Sequence, residues 1–511
     1  MILRKYFWFV VFIAAIYTIP IALIGCASPQ VHAQDSHGKS PEAASAENSA
    51  HGGSVKNIIL FIGDGMSLEN ERALSFYLYG NPDGLVWQSW PYHTWVSTWD
   101  IDTYDRYARK SGASRYSPNC DAKIGYDPER GGFAPWPIDM SGDKSYFLTA
   151  LPTFNGGSGT YAIPATDSAS AATAIATGVK TDAGNISWAS GDRVDGKLET
   201  ITELLRERKG SAIGVVSTVE FCHATPSAFV AHSTARGNVG KISHEIINET
   251  KPEVVIGSGH PNWISGYISS SDLKSLRNSV EYILVERGRG ENGGKNLING
   301  AEQAKEQGKK LFGLFGGSNG CFEPPKAHDS PGKPGFDVEE ENPSLAEATD
   351  AALEVLSNDP NGFFLMVEQG DIDWANHYND YHWMIGSMWD LESAVEAATE
   401  FVDRPGDSVD RSNTIIIVTA DHCNGYLRLS QTNPPGIGDL PEMTGKKYHY
   451  SYPGGEVSYG CTQHTNELVS LYAVGSGCER FSEYEGSRYP GIKIIDNTQI
   501  WRVLSMLAGI D

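Results

Sequence analysis

The stretch Ala165-Thr166-Asp167-Ser168-Ala169-Ser170-Ala171-Ala172-Thr173-Ala174 sets a hydroxyl, Ser168, at the head of a helix made of unusually small residues. The first turn of a helix leaves backbone N–H groups unpaired and carries the positive end of the helix dipole. An anion arriving at Ser168 would therefore meet donors and field together. Phosphate is the natural anion. Taken alone, the same composition makes only a close-packed helix, and its chemical meaning depends on residues far away in the chain.

Those residues fall at the ends of apolar runs. Val55 to Ile62 reads as a buried strand that halts at Gly63-Asp64-Gly65-Met66, where glycine lets the backbone turn sharply and come close to a ligand. Phe363 to Val367 is a second run, ending at Glu368 and followed by Gly370-Asp371-Ile372-Asp373-Trp374-Ala375-Asn376-His377. Asp373 and His377 are four apart, which puts both on one face of a helical turn. Thr414 to Ala420 is a third run and stops at Asp421-His422. Three strands delivering carboxylate or imidazole at one end match the edge where open α/β sheets bind ligands. Gln463-His464-Thr465-Asn466 precedes another strand-like run, Leu468 to Val474. Ala212 to Thr218 leads to His223-Ala224-Thr225-Pro226, with Arg236 eleven residues beyond Thr225.

In this order Ile62-Gly63-Asp64-Gly65-Met66, Thr166-Asp167-Ser168-Ala169, Gly178-Val179-Lys180-Thr181, His223-Ala224-Thr225-Pro226, Arg236, Met366-Val367-Glu368, Ile372-Asp373 with His377, Thr419-Ala420-Asp421-His422 and His464-Thr465 resemble the alkaline phosphatase family, from about Lys56 onward. The resemblance implies an α/β fold, a three-layer α/β/α sandwich with a large, mostly parallel central sheet. Apolar runs alternating with helical stretches such as Lys197 to Arg208 and Ser344 to Leu356 point the same way. It also implies Ser168 as nucleophile, Arg236 as the clamp on the phosphoryl oxygens, and Asp167 and Trp374 beside the substrate. Asp373, His377 and His464 would hold one zinc ion, and Asp64, Asp421 and His422 a second. Asp64, Thr225 and Glu368 would hold a magnesium ion. The donor chemistry agrees, since mixed imidazole and carboxylate sets suit zinc and an all-oxygen set suits magnesium.

Two zinc ions about 3.5–4 Å apart can stabilise both the attacking and the leaving oxygen of an in-line displacement. The resemblance thus implies a broad-specificity phosphomonoesterase working through a phosphoseryl intermediate that water then cleaves, with retention at phosphorus. Arg236 can pair bidentately with two phosphoryl oxygens. His223 and Trp374 stand where some bacterial members carry aspartate and lysine. His223 would reach the third ion directly, shifting it toward zinc, or through water as a hydrogen-bond partner. Trp374 brings no charge to bound phosphate. Cys222 and Cys423 flank site residues and are expected to be structural. Two other readings share these residues: a phosphodiesterase or sulfatase of the same superfamily, and a surface lipoprotein that captures metal or phosphate without catalysis.

Arg4 and Lys5 precede an uncharged apolar run from Tyr6 to Gly25, the pattern of an export signal. Leu23-Ile24-Gly25-Cys26 resembles a bacterial lipobox, so residues 1–26 are read first as a lipoprotein signal with Cys26 lipidated. Cleavage after Ala33 and an uncleaved anchor are the alternatives. Residues 27–54 are small and polar and read as a flexible tether. Residues 55–511 form one catalytic domain on this reading, because site residues spread from Asp64 to His464. The surplus chain at about 103–162, rich in Tyr, Gly, Ser and Pro, is read as an ordered loop subdomain over the site or at a subunit interface, with inert decoration as the alternative. All three N-terminal readings place that domain outside the cytoplasm, in the periplasm or on the outer surface. A homodimer is expected from the resemblance. Of the seven cysteines, six remain beside Cys26, which permits disulfides; Cys461 with Cys478 is the favoured pair. The net charge of -23 argues against nucleic acid or an anionic membrane surface as partner.

Overall fold

Strands buried on both faces need continuous apolar runs rather than alternation, and the long runs of this chain form such strands. In chain order the central sheet holds β1 (Asn57–Gly63), β2 (Tyr92–Ser97), β3 (Ala212–Glu220), β4 (Val254–Ser258), β5 (Tyr282–Glu286), β6 (Lys310–Leu314), β7 (Phe363–Gln369), β8 (Thr414–Thr419), β9 (Val469–Gly475) and β10 (Ile494–Asp496). Their spatial order is β10-β2-β9-β8-β1-β7-β3-β4-β6-β5. All run the same way except β9, which pairs antiparallel with both β8 and β2. That reversal puts the start of β9 at the edge where β1, β7 and β8 end. The computed structural model describes residues 55–126, 131–132, 147–148, 165–448, 450–491 and 493–511. The expected export signal, the tether and most of the 103–162 insertion lie outside the described residues.

The principal helices are α1 (Leu68–Tyr79), α2 (Ile101–Ser111), α3 (Ser168–Thr177), α4 (Ile201–Lys209), α5 (Ala224–Val230), α6 (Gly293–Gln307), α7 (Leu345–Leu356), α8 (Asp371–Tyr378), α9 (Tyr381–Val402) and α10 (Thr498–Ala508). Among them α1, α6, α7 and α9 pack side by side on one face of the sheet, and α3, α4, α5 and α10 on the other. This is the expected α/β/α sandwich. Helix starts follow their caps: Thr200 with Glu203 and Ser344 with Glu347 close capping boxes on α4 and α7. Among the described residues no helix is long and apolar enough to cross a membrane.

The described start of the insertion is ordered onto the domain. Asp100 caps α2 by accepting from Thr103 N–H, and Tyr104, Ala108 and Tyr126 join a satellite core with Trp99 and Tyr489. The favoured Cys461–Cys478 disulfide is corrected: both are free thiols, as are Cys120, Cys222, Cys321 and Cys423. The reason is topological. Cys461 precedes the start of β9 and Cys478 follows its end, so a seven-residue strand of about 20 Å separates cysteines that a disulfide needs within about 7 Å.

Candidate active site

The site is assembled where β1, β7 and β8 end. Asp64 follows β1, Glu368 lies at the end of β7, and Asp421 and His422 follow β8. Gly65 turns the chain away with φ at +70°, and a Cβ there would come within 2.9 Å of Asp373. Its N–H donates to Asp421 Oδ1 at 3.1 Å. Helix α8 then sets Asp373 and His377 on one face, as the spacing implied, with His377 Nε2 3.3 Å from Asp373 Oδ2. His464 comes in from a two-residue ribbon, His464–Thr465 pairing antiparallel with Cys423–Asn424, and lays its ring on that of His422 at 3.6 Å.

Three groups of ligand atoms converge. Asp373, His377 and His464 form one, Asp64, Asp373 and His422 a second, and Asp64, His223 and Glu368 a third, each set lying within 4.8 Å. Asp373 therefore faces two of the groups rather than one. Asp421 sits against the second, its Oδ2 3.3 Å from His422 Nε2, and Thr225 Oγ is buried on α5. The imidazoles are aimed by backbone: His377 Nδ1 meets Thr462 O at 2.8 Å and His464 Nδ1 meets Thr166 O at 2.8 Å, leaving both Nε2 atoms turned to the groups.

The cradle fits cations. Both carboxylate oxygens of Asp64, Asp421 Oδ2, Glu368 Oε1 and Thr225 Oγ are buried with no hydrogen-bond partner, a state that buried polar groups avoid unless something else satisfies them. Burial, reinforced by Asp421, Asp373 and Glu368, holds the Asp64 carboxyl well above its usual range. Burial likewise raises Glu368 to about 7 and Asp421 to about 6. Asp373 is buried too, yet His377 and His464 hold it well below the carboxylate range. Bound cations would reverse the raised values by stabilising the anionic forms.

Ser168 is the first residue of α3, with Asp167 as its cap. Its Oγ lies 3.3 Å from His422 Nε2, so the hydroxyl borders the second group. Arg236 faces it from the loop after α5. One guanidinium nitrogen donates to Asp167 Oδ2 at 3.0 Å and another to His223 Nε2 at 3.1 Å. Asp167 is itself fixed by the N–H groups of Ser170 and Gly184. Although desolvation alone would raise it, its half-buried carboxyl is held near 2 by Arg236. The Arg236 side chain remains 32% exposed, whereas the carboxylates of the cradle are sealed. Trp374 stands edge-on to His223, their ring centroids 6.3 Å apart. The side chains read in the sequence as catalytic, substrate-binding or metal-ligating thus gather at this edge.

Three supports were not anticipated. Ser217 donates to Glu368, and Asn424 donates to Asp373 Oδ1 at 2.7 Å. Tyr107 of α2 accepts from Asn466 at 3.2 Å, tying the start of the insertion to the segment that carries His464. Asn424 stands two residues after His422, and that proximity was the available signal. Cys222 and Cys423 are buried with their thiols pushed up by burial, in keeping with structural roles.

The family model for alkaline phosphatase matches residues 147–437. Alkaline phosphatase 3 of Bacillus subtilis is 32% identical over 265 residues, covering 51% of this chain and 49% of that protein. The chain thus spans about half the length of that relative. Alkaline phosphatase of Escherichia coli is 31% identical over 345 residues, covering 61% of this chain and 69% of that one. Among solved structures, the alkaline phosphatase of Thermus thermophilus superposes with a TM-score of 0.57 at 19% identity, over 90% of this chain and 92% of the other, a likeness of fold.

Proposed function

Because the chain belongs to the alkaline phosphatase family, we propose that it hydrolyses phosphate monoesters through a phosphoseryl intermediate formed on Ser168. The observation that carries this reading is the position of Ser168 Oγ, at the head of α3, beside the buried cradle at His422 and next in sequence to Asp167, which holds the partly exposed guanidinium of Arg236. Two zinc ions and a magnesium ion, when bound, would supply charge stabilisation at the attacking and leaving oxygens and an activated water. Asp373, His377 and His464 would hold one zinc, Asp64, Asp421 and His422 the other, and Asp64, Thr225 and Glu368 the magnesium.

The chain's own residues do the rest. Arg236 presents paired N–H donors to two phosphoryl oxygens and holds the ester in line with Ser168. Asp167 fixes that guanidinium, and the first-turn amides of α3 add donors where charge gathers. Ser168 gives up its proton as its oxygen bonds to phosphorus, the bond from phosphorus to the ester oxygen breaks on the far side, and the alcohol departs with a proton. Water then attacks the phosphoseryl group, the bond to Ser168 breaks, and one of the water's protons restores the serine hydroxyl as inorganic phosphate leaves. His223 contributes from the edge: a guanidinium only donates, so the bond from Arg236 makes His223 Nε2 an acceptor and leaves the proton of the neutral ring on Nδ1. In that tautomer Nδ1 would meet an ion in the third group through a water rather than by direct ligation. The apolar run at residues 6–25 supports export of the catalytic part, with lipidation at Cys26 as the first form of anchor, and membership of the family supports a homodimer as the assembly.

Hydrolysis of p-nitrophenyl phosphate at alkaline pH tests the proposal, with the diester and the sulfate alongside. The expected result is monoester-dominant activity that a chelator abolishes, that zinc plus magnesium restore, and that Ser168→Ala loses while keeping its bound metal. Diester or sulfate preference, or an inert metal-loaded protein, would reject it.

A further inference from the structure

Next to the catalytic groups lies a cavity of about 320 Å³ whose walls are mostly aromatic, formed by Trp374, Tyr378, Trp383 and Tyr448 with His377, Lys447 and Asn319. We propose that it is the subsite for the leaving alcohol and that it selects phosphomonoesters whose alcohol carries a flat ring system, aryl or nucleoside. This deepens the phosphomonoesterase reading and rests on it.

The side of the site decides the cavity's role. Ser168 Oγ borders the group at His422, so in an in-line displacement the alcohol must depart on the opposite side, toward Asp373, His377 and His464. His377 belongs to that group and also lines the cavity. The organic part of the ester is thereby directed among the rings. Tyr378 forms the centre of the wall. Its ring centroid lies 5.6 Å from Trp383 at 32° and 4.4 Å from Tyr448 at 84°, so planes of two orientations surround the space. Such arrangements suit both stacked and edge-on contact with a planar guest. Tyr448 is 49% exposed yet held at φ +71°, a conformation bulky residues rarely adopt. A ring kept at the surface at that backbone cost is not there to fill a core. Lys447 Nζ lies 3.7 Å over the Tyr378 ring and supplies the cation at this end. The volume is at the low end of pockets that take small organic ligands, enough for one ring system.

The test compares kcat/KM for 2-naphthyl phosphate, adenosine 5′-monophosphate and glycerol 2-phosphate in the metal-loaded parent, Tyr448→Ala and Tyr448→Phe. Base–aromatic stacking is worth about 1–3 kcal/mol by alanine substitution, so the ring-to-glycerol ratio should fall at least about fivefold in Tyr448→Ala. Tyr448→Phe, which keeps the ring, should retain the parent ratio. A fall for the naphthyl ester alone assigns the subsite to aryl alcohols, and a fall for both ring-bearing esters extends it to nucleosides. Equal losses on all three esters would overturn the subsite. Calorimetric binding of free adenosine and 2-naphthol to the parent and Tyr448→Ala gives a readout independent of turnover. Alcohol binding that depends on Tyr448, with no ester hydrolysed, would sink the phosphomonoesterase reading and leave the ring-binding cavity standing. Hydrolysis of glycerol 2-phosphate with no alcohol binding would do the reverse.

Discussion

In the proposed reaction Arg236 starts already tied down. Its guanidinium bonds to Asp167 and to His223 on separate nitrogens, so the fork is oriented before any phosphate arrives. The Asp167 carboxyl, kept near 2, stays an anion through the working pH range, and the pair does not loosen as the medium becomes alkaline. Lysine can keep the charge but not the fork. Arg236→Lys leaves His223 Nε2 without its donor and offers phosphate a single mobile ammonium. Charge-assisted hydrogen bonds are worth about 1.5–3 kcal/mol, so kcat/KM for a phosphomonoester should drop about 10- to 100-fold, and inhibition by inorganic phosphate should weaken in step. Steady-state kinetics with p-nitrophenyl phosphate reads both. A variant that turns over and binds phosphate like the parent would remove Arg236 from the clamp.

One level up, the loop that carries Arg236 is anchored by a histidine four residues earlier. His232 Nδ1 meets Glu245 Oε1 at 2.8 Å, and Nε2 lies 3.0 Å from Leu198 O and 3.4 Å from Glu203 of α4. It joins α4, the loop and the helix Val239–Glu245. Burial alone would lower its pKa, but the bonds and charges of Glu203 and Glu245 raise it to about 9. A raised value in the folded state means that this contribution is fully present below about pH 6.5 and is lost as pH rises through 9. It is on the order of 3 kcal/mol. The parent's Tm should therefore decline between pH 6.5 and 9 by an amount that His232→Gln lacks, measured by calorimetry with metal in excess. Parallel profiles would exclude the anchor. The strands that form the site edge were legible because parallel strands covered on both faces are continuous apolar runs: Thr414 to Ala420 became β8 with its end one residue away. Strand β2, Tyr-His-Thr-Trp-Val-Ser, offers no such run, and the reversal of β9 leaves no trace in composition. The aromatic wall at Tyr448 was equally hidden, since it sits in a stretch with no apolar periodicity and acquires meaning only beside α8.

For the molecule as a whole, the active edge is also a structural tension. A chain of net charge -23 brings Asp64, Glu368, Asp373 and Asp421 together buried from solvent, and these carboxylates come from segments spread over most of the domain. Their types and positions at strand ends were readable in the sequence. Their mutual distances were not, because they depend on the strand order β8-β1-β7 that only the fold fixes. Unscreened carboxylates at this separation repel in a low-dielectric setting, whereas cations that bind only the folded state stabilise it by mass action, by about 4 kcal/mol at a thousandfold excess over Kd. Metal removal should accordingly lower Tm by several degrees, and zinc with magnesium should restore it. Repulsion and lost ligation have opposite signatures in one substitution. Above pH 7, where metal-free Glu368 is an anion, Glu368→Gln removes a buried charge and keeps the shape, so after chelation it should melt above the chelated parent. Once metal is restored it should melt below the loaded parent, because a ligand oxygen has lost its charge. Calorimetry of both proteins in both states gives four melting temperatures whose order must cross. If Glu368→Gln melts lower in both states, the buried carboxylates are not the source of the tension, and hydrogen bonding to Ser217 explains what Glu368 does.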